Sequence, residues 1–372
     1  MKNPNIYLGL MSGTSIDSVD AVAVTFLDDE VLLIGSLNYE IPDSLRKDIL
    51  DLSTPGIDNV KLAAETDAAV GELFAHASMS LMEKLKLAPQ SIAAIGSHGQ
   101  TIRHQPPSVS NGFSVQIGDP SVIAIKTDCP VVADFRRADM ALGGHGAPLV
   151  PAFHHYVFNE IGKNRIIVNI GGIANITFLS SHGECAGFDT GPGNTLLDAW
   201  CKRHLGIAYD KNGQWSKQGS VSEELLNALL RHPFLNASPP KSTGKEDFNL
   251  QWLDKELEDY DLSPEDVQAT LTAFTAQSIV NSICYFSIPI DDIFLCGGGA
   301  FNEELRSNID QSLVSKNQPK TGLTSDIGIA PDWVEACAFA WLAKQRMDKR
   351  TGNMPAVTGA SRKVILGGLY LP

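Results

Sequence analysis

Two stretches of the chain, about 160 residues apart, show the same succession of short apolar runs and polar turns. The first contains apolar runs at 6–11, 21–26 and 31–37, a spacing that predicts three consecutive strands. The second repeats this order from Ile166 to Asp189. The repetition suggests two similarly built α/β domains, although strand-turn-strand patterns are common and coincidence remains an alternative.

Apolar residues at helical spacing predict helices between and after these strands. The main helical segments are 44–87, 266–286 and 333–344, and an apolar run at 363–366 predicts a last strand. The segment 333–344 is rich in alanine, a composition expected where helices pack closely at a domain junction. Strands followed by helices in each half are typical of an α/β protein.

The predicted domain boundary lies between Pro151 and Gly162, after a proline-containing segment. We expect an N-terminal domain made of residues 1–150 and about 345–372, and a C-terminal domain made of residues 151–344. A chain of 372 residues, 43% of them hydrophobic, is long enough for two domains that each bury a substantial core.

The charge of the chain narrows the range of partners. A formal net charge of -14 disfavours nucleic acid and anionic membranes, which would repel the protein at long range.

The six cysteines form no Cys-x-x-Cys pair, so neither a zinc site nor a disulfide framework is indicated. The apolar run at 6–11 is too short for a signal-peptide core, and no run approaches the roughly 18 apolar residues of a membrane span. These features predict a cytoplasmic protein.

Four turns rich in glycine and polar residues follow predicted strands, at 12–20, 171–175, 187–194 and 297–300. A phosphate-handling site needs backbone N–H donors, few bulky side chains and a carboxylate near a divalent metal ion. Each turn alone is weak evidence. Together they suggest a nucleotide held between two domains that close over it. The three glycines at 297–299 fit either a flat ligand such as adenine or simply a tight turn.

Asp189 follows a strand and precedes two glycines and a helix that starts near Thr195. Carboxylates at strand ends face ligands in open α/β sheets, so Asp189 is a candidate catalytic base. The alternative is that Asp189 only caps the following helix.

Other chemistries are less well supported. The segment 236–247 resembles a phosphate-binding loop but has Gly244-Lys245 followed by Glu246, and no dinucleotide fingerprint is present. Ser97, His98 and Asp134 make a poor catalytic triad, because adjacent side chains point apart and no Gly-x-Ser-x-Gly elbow exists. His98 is then a substrate contact or a structural hydrogen-bonding residue. The histidines at 145, 154 and 155 lack the spacing of a metal site.

Eight blocks of sequence, in this order and over nearly the whole chain, resemble the anhydro-N-acetylmuramic acid kinase family. The blocks are Gly9–Asp17, Gly96–Thr101, Ala133–Arg137, Gly146–Pro151, Asn169–Asn175, Phe188–Asn194, Pro239–Gly244 and Cys296–Ala300. The resemblance implies a two-domain actin-like ATPase fold of the ribonuclease H-like type: a duplicated mixed sheet flanked by helices, with a cleft between the domains. Ser18 and His145 depart from the pattern, where glycine and glutamine are expected.

The resemblance also implies a reaction. ATP, with Mg²⁺, would phosphorylate 1,6-anhydro-N-acetylmuramic acid while water opens the anhydro ring, giving N-acetylmuramic acid 6-phosphate and ADP in cell-wall recycling. Asp189 would deprotonate the water, in the manner of the carboxylates that cleave glycosides. The competing interpretation is an actin-like protein that closes on a nucleotide and transfers nothing.

The resemblance further implies roles for particular residues. Asp17 would lie near the metal ion or the transferred phosphoryl group. His98, Arg137 and Glu335 would hold the sugar, with Arg137 suited to its lactyl carboxylate. A homodimer is the expected assembly. The residues expected to bind ATP are Ser12, Gly13, Thr14, Ser15, Ile16, Asp17, Ser18, Val19, Gly171, Gly172, Asn175, Gly297, Gly298 and Gly299.

Overall fold

The computed structural model describes residues 6–13, 15–27, 30–54, 56, 59–105, 107 and 112–372. The chain divides into two compact units. The first unit comprises Met1–Val157 and Trp333–Pro372, and the second comprises Phe158–Asp332.

The strands follow in chain order. They are β1 (Ile6–Met11), β2 (Ser18–Leu27), β3 (Glu30–Glu40), β4 (Ile92–Ser97), β5 (Gln100–Gln105), β6 (Phe113–Ile117), β7 (Val131–Ala133), β8 (Arg165–Ile170), β9 (Ile173–Leu179), β10 (Cys185–Pro192), β11 (Asp292–Cys296), β12 (Thr321–Leu323) and β13 (Gly368–Tyr370).

The helices flank these strands. They are α1 (Asp43–Ser53), α2 (Val60–Leu85), α3 (Pro120–Thr127), α4 (Arg137–Met140), α5 (Val150–Phe158), α6 (Thr195–Leu205), α7 (Glu223–Leu229), α8 (Leu250–Leu257), α9 (Pro264–Cys284), α10 (Glu303–Ser315), α11 (Val334–Met347) and α12 (Pro355–Thr358). Several begin with a side-chain cap that the sequence supplies locally: Ser263, for example, accepts a hydrogen bond from the backbone N–H of Asp266 at the start of α9.

The main sheets of the two units have the same topology. In the first unit the strand order is β13-β7-β4-β1-β2-β3, and in the second it is β10-β9-β8-β11-β12. In each, the first strand is antiparallel to the second and parallel to the fourth. Both sheets therefore place their first five strands in the order third, second, first, fourth, fifth, and this confirms the predicted duplication.

Each sheet packs on its own helices around a separate core. In the first unit β1 is buried along its whole length, and Val70, Phe74 and Leu81 of α2 lie in the same core. In the second unit alternate residues of β8, including Ile166 and Val168, share a core with one side of α9 and α10. The residues between them, such as Asn169, lie on the opposite face of the sheet.

Helix α11 belongs to the first unit, whereas the sequence interpretation placed residues 333–344 in the C-terminal domain. The reason is its close packing on two glycines that are paired across β1 and β4. An ideal Cβ atom on Gly9 would lie 1.9 Å from the carbonyl oxygen of Ala336, and one on Gly96 would lie 2.0 Å from that of Phe339. The structure therefore divides the chain at Val157/Phe158 and Asp332/Trp333 rather than at residues 150 and 345.

The strand predicted at 363–366 is wrong. The backbone of Val364 instead pairs with a loop: its N–H donates to Asn353 Oδ1, and its carbonyl accepts from the N–H of Gly352. Asn353 in turn donates to the fully buried carboxylate of Asp139. These hydrogen bonds occupy the backbone of Val364, and the last strand forms only at β13.

Candidate active site

Asp189 is a buried carboxylate on the edge strand β10 of the second unit, and 7% of it is exposed. Its Oδ2 accepts hydrogen bonds from the Ser242 hydroxyl, at 2.9 Å, and from the Thr243 backbone N–H, at 3.0 Å. The N-terminal cap residue of α6 is Asn194, so the alternative that Asp189 caps this helix does not hold. Two donors on one oxygen hold the carboxylate in one orientation.

The segment that carries these donors is attached to β10 beside Asp189. The Asp189 N–H donates to the carbonyl oxygen of Lys241, and the Lys241 ammonium donates to the carbonyl oxygens of Phe234 and Leu235. The same ammonium lies 4.7 Å from the ring centroid of Phe234 and 5.6 Å from that of Phe188. Burial lowers the pKa of Lys241, while the charge of Asp189 acts to raise it. Lys241 therefore anchors the segment that orients Asp189.

Asp189 is the first member of a row of polar residues that crosses four strands. Asp189 is paired with Asn175 on β9, Asn175 with Asn169 on β8, and Asn169 with Cys296 on β11. Paired residues in a sheet project from the same face, and neighbouring strands lie about 4.8 Å apart, so the row spans about 14 Å. It leads from the candidate base to the glycine turn at Gly297.

The glycine turn after β11 is shaped by its packing on β8. Gly297 has φ +78°, and an ideal Cβ atom there would lie 2.5 Å from Asn169 Oδ1. A Cβ atom on Gly299 would lie 2.3 Å from Ile170 Cγ2. Gly298 differs, because apart from its neighbours in the chain no described atom would lie within 4 Å of a Cβ atom there. Tight packing thus explains Gly297 and Gly299, and Gly298 has open space for a ligand.

Two of the predicted polar turns are joined to each other. The N–H groups of Gly193 and Thr195 donate to the carbonyl oxygen of Gly172, and that of Asn194 donates to Gly171. The Thr195 hydroxyl also donates to Gly172, at 2.7 Å. The β8–β9 turn is therefore fixed against the start of α6, on the same sheet as Asp189.

The first unit places a second polar group after β1 and β4, which run parallel. The buried Ser12 hydroxyl donates to Gln100 Oε1 at 2.6 Å, and the Gln100 amide donates to the carbonyl oxygen of Gly13 at 3.4 Å. Ser15 is exposed. Thr14 lies outside the described residues.

The remaining residues of the predicted phosphate turn differ in their surroundings. The carboxylate of Asp17 is half exposed and lies 3.0 Å from the guanidinium of Arg46. Ile16 and Val19 are core residues, so any contact they make with ATP would involve their backbone. Ser18 begins β2, and its hydroxyl donates to Asp20 at 3.3 Å.

His98 supports a neighbouring arginine. It is 4% exposed; its Nδ1 lies 2.9 Å from the carbonyl oxygen of Gly99, and its Nε2 lies 2.8 Å from Nη2 of Arg136. A guanidinium can only donate, so Nε2 accepts and Nδ1 carries the proton. Burial, together with the charge of Arg136, holds the pKa of His98 well below its usual range. The structural alternative for His98 therefore fits better than direct contact with a substrate.

The other two predicted sugar contacts lie in the same unit. The exposed side chain of Arg137 has its Nε 3.5 Å from an oxygen of Asp134. Glu335 lies in the first turn of α11, next to Ala336, which packs on Gly9. Sequence reasoning missed Arg136, although the adjacent arginine pair was visible, and it assigned no role to Ser242 and Thr243.

The structure shows neither a metal-binding cluster nor a membrane helix in the part of the chain that it describes. No group of three or more His, Cys, Asp or Glu side chains among the described residues could hold a metal ion. No helix among them is long and apolar enough to cross a membrane.

The two sheets define the class of the protein. A duplicated sheet of this order and direction, flanked by helices, is the ribonuclease H-like arrangement of the actin-like ATPase fold that the family resemblance implied. The family model for anhydro-N-acetylmuramic acid kinase matches residues 5–372, and the chain belongs to this family.

Named relatives agree with the family model. The chain is 49% identical over 366 residues to the anhydro-N-acetylmuramic acid kinase of Coxiella burnetii (strain Dugway 5J108-111), covering 98% of this chain and 97% of that protein. It is 47% identical over 373 residues to the protein of the same name from Saccharophagus degradans, covering 99% and 100%. Membership of this family confirms the interpretation as a kinase over that of a non-catalytic binder, and it implies the use of ATP.

Two solved structures are similar to the chain over most of its length. The activator of the 2-hydroxyisocaproyl-CoA dehydratase from Clostridium difficile with bound ADPNP has a TM-score of 0.44 and 13% identity, over 92% of this chain and 97% of that one. The ROK hexokinase from Thermus thermophilus has a TM-score of 0.35 and 13% identity, over 91% and 99%.

Proposed function

We propose that the protein phosphorylates 1,6-anhydro-N-acetylmuramic acid with ATP while water opens the anhydro ring, giving N-acetylmuramic acid 6-phosphate and ADP. Such a reaction recovers a cell-wall sugar. The family and the names of the relatives support the substrate. The observation that carries the mechanism is the buried carboxylate of Asp189, which Ser242 and Thr243 hold in one orientation.

The chemistry follows from the substrate, because the 1,6-anhydro bridge leaves no free 6-hydroxyl. Asp189 accepts a proton from water as the water oxygen bonds to C1. The C1–O6 bond breaks, and the released O6 bonds to the γ-phosphorus of ATP as the bond to the β-phosphate oxygen breaks. A fixed carboxylate beside a carbon that gains positive charge is the arrangement used in glycoside cleavage.

Both units are proposed to contribute residues that bind ATP. In the first unit, Ser12–Val19 is assigned to the phosphates. In the second unit, Gly171, Gly172 and the open side of Gly298 are assigned to the nucleotide, because the polar row links this region to Asp189 on one sheet.

Mg²⁺ is proposed to bind near Asp17. A single half-exposed carboxylate, Asp17, fits the way this ion is usually held, by one or two carboxylates together with phosphates and water. When bound, Mg²⁺ neutralises phosphate charge during transfer.

The sugar contacts are assigned to the first unit. Arg137 and Glu335 are proposed to bind the sugar, Arg137 through the lactyl carboxylate. His98 is assigned an indirect part, since it orients the guanidinium of Arg136. The homodimer and the cytoplasmic location stay predictions from the sequence.

The reaction can be tested by incubating the protein, ATP and the anhydro-sugar in oxygen-18 water. We expect mass spectrometry to show a product that carries one labelled oxygen at C1 and a new phosphate. Unchanged sugar would contradict the proposed function, and a phosphorylated product without the label would contradict the attack of water on C1.

If the turn after β11 binds the nucleotide, substitutions at two adjacent glycines should have different effects, one on ATP affinity and the other on stability. Gly298→Val adds a side chain in open space, so we expect unchanged unfolding but about tenfold weaker ATP binding, the loss of about 1.4 kcal/mol. Gly297→Ala, the comparison variant, should lower stability instead, because its Cβ atom would collide with Asn169 and the backbone of Ile170. Titration with a non-hydrolysable ATP analogue and urea unfolding measure the two effects. Unchanged affinity in Gly298→Val would remove this turn from the nucleotide site.

A further inference from the structure

Asn175 carries a buried side-chain oxygen that has no hydrogen-bond donor among the described residues. Leaving a buried acceptor unpaired costs about 1–3 kcal/mol. Unpaired buried acceptors are rare in folded proteins. An ordered water molecule or a substrate atom can supply the missing hydrogen-bond donor. The position of Asn175 in the sheet shows what that partner could be.

Asn175 and Asp189 are direct neighbours across two antiparallel strands. The Asp189 N–H points away from β9, because it donates to the carbonyl oxygen of Lys241. The two residues therefore form a non-hydrogen-bonded pair, the type in which the Cα atoms are about 4.5 Å apart and the side chains are closer. Both side chains project from the face of the sheet opposite to Phe188 and Ile176, which lie in the core.

An attacking water molecule has two O–H groups and must direct a lone pair at carbon. Asp189 accepts one hydrogen and, in the proposed reaction, takes it as a proton. The second O–H needs an acceptor as well, or the water can rotate out of line. We propose that Asn175 Oδ1 is this second acceptor, so that Asp189 and Asn175 together orient the water that opens the anhydro ring. This inference rests on the proposed function.

The same strand pairing argues against the expectation that Asn175 binds ATP. Asn169, its neighbour on β8, lies beside the glycine turn, where Cys296 Sγ is 3.8 Å from its Oδ1. Asn175 is one strand further from that turn and one strand nearer to Asp189. Along the polar row, Asn175 thus belongs with the base rather than with the nucleotide.

The test replaces Asn175 by leucine, which has a similar volume and no acceptor. We expect kcat to fall about 100-fold, the size of effect seen when a reactant is no longer held in line. The affinity for a non-hydrolysable ATP analogue should stay unchanged. The midpoint of urea unfolding should not fall, because the variant removes an unpaired buried acceptor. Loss of nucleotide affinity, or kcat close to that of the wild type, would overturn the inference.

Thr177→Val is the matched control, since Thr177 lies two residues further along β9 on the same face. It should retain the kcat of the wild type.

A high-resolution crystal structure of the wild-type protein gives a measurement that does not depend on activity. We expect an ordered water within hydrogen-bond distance of both Asn175 Oδ1 and Asp189, and its absence would overturn the inference. Absence of turnover in the wild type would contradict the proposed function, while the crystal structure would still decide the role of Asn175.

Discussion

Asp189→Asn is expected to lower turnover by about 10²- to 10⁴-fold, the range for loss of a general base. Asparagine has the size of aspartate and keeps an oxygen that can accept from Ser242 and Thr243, which hold the carboxylate in the native protein. The fold and the binding of sugar should therefore be preserved. A neutral amide cannot take the proton of water, so the chemical step fails. Steady-state kinetics with calorimetric titration of the sugar measures the two properties separately.

Asp247→Asn is a suitable control for this prediction. Asp247 lies on the same segment of chain and accepts a hydrogen bond from the Thr243 hydroxyl at 2.6 Å, but its carboxylate is exposed. Its replacement removes the same charge close to the candidate site, and turnover should remain near that of the wild type. Near-native turnover in Asp189→Asn would remove Asp189 from the role of base.

Gly9→Val is expected to lower the stability of the first unit strongly. Even a Cβ atom at this position would lie 1.9 Å from the carbonyl oxygen of Ala336 and 2.9 Å from the backbone nitrogen of Ala340. Both atoms belong to the backbone of α11, which cannot move locally without leaving β1 and β4. Overpacking of well-packed cores costs about 1–3 kcal/mol and sometimes more. Valine is larger than alanine, so we expect a loss of at least about 3 kcal/mol out of a total of about 5–15 kcal/mol.

Urea unfolding followed by circular dichroism measures this loss, and Gly35→Ala provides the comparison. Gly35 lies on β3 in the same sheet, and the atom nearest to its Cβ would be Cδ2 at the end of the Leu85 side chain, at 2.6 Å. A side-chain end can rotate away, so this variant should unfold close to the wild type. A wild-type unfolding midpoint for Gly9→Val would show that α11 is not fixed against β1 as described.

The surroundings of Asp189 show which features of the candidate site could be predicted from the sequence. Its position after a strand and before glycines predicted a candidate base, and the structure places it buried at the sheet edge. The donors that hold it could not be predicted from the sequence. Ser242 is 53 residues away and reaches Asp189 only when the segment around Lys241 packs beside β10. His98 illustrates the same limit. Only the packing of the first unit reveals that its Nε2 binds Arg136.

The sequence by itself determined the two sets of strands, the glycine turns and the family, since each depends on residues close together in the chain. Apolar runs broken by glycine and polar residues specify strands and turns locally. Tertiary structure decided which unit contains α11, which glycines are needed for packing, and which residues surround Asp189. Those features depend on strand register and on contacts between distant segments. Local sequence does not encode the pairing of Asp189 with Asn175, because it exists only once β9 and β10 lie side by side.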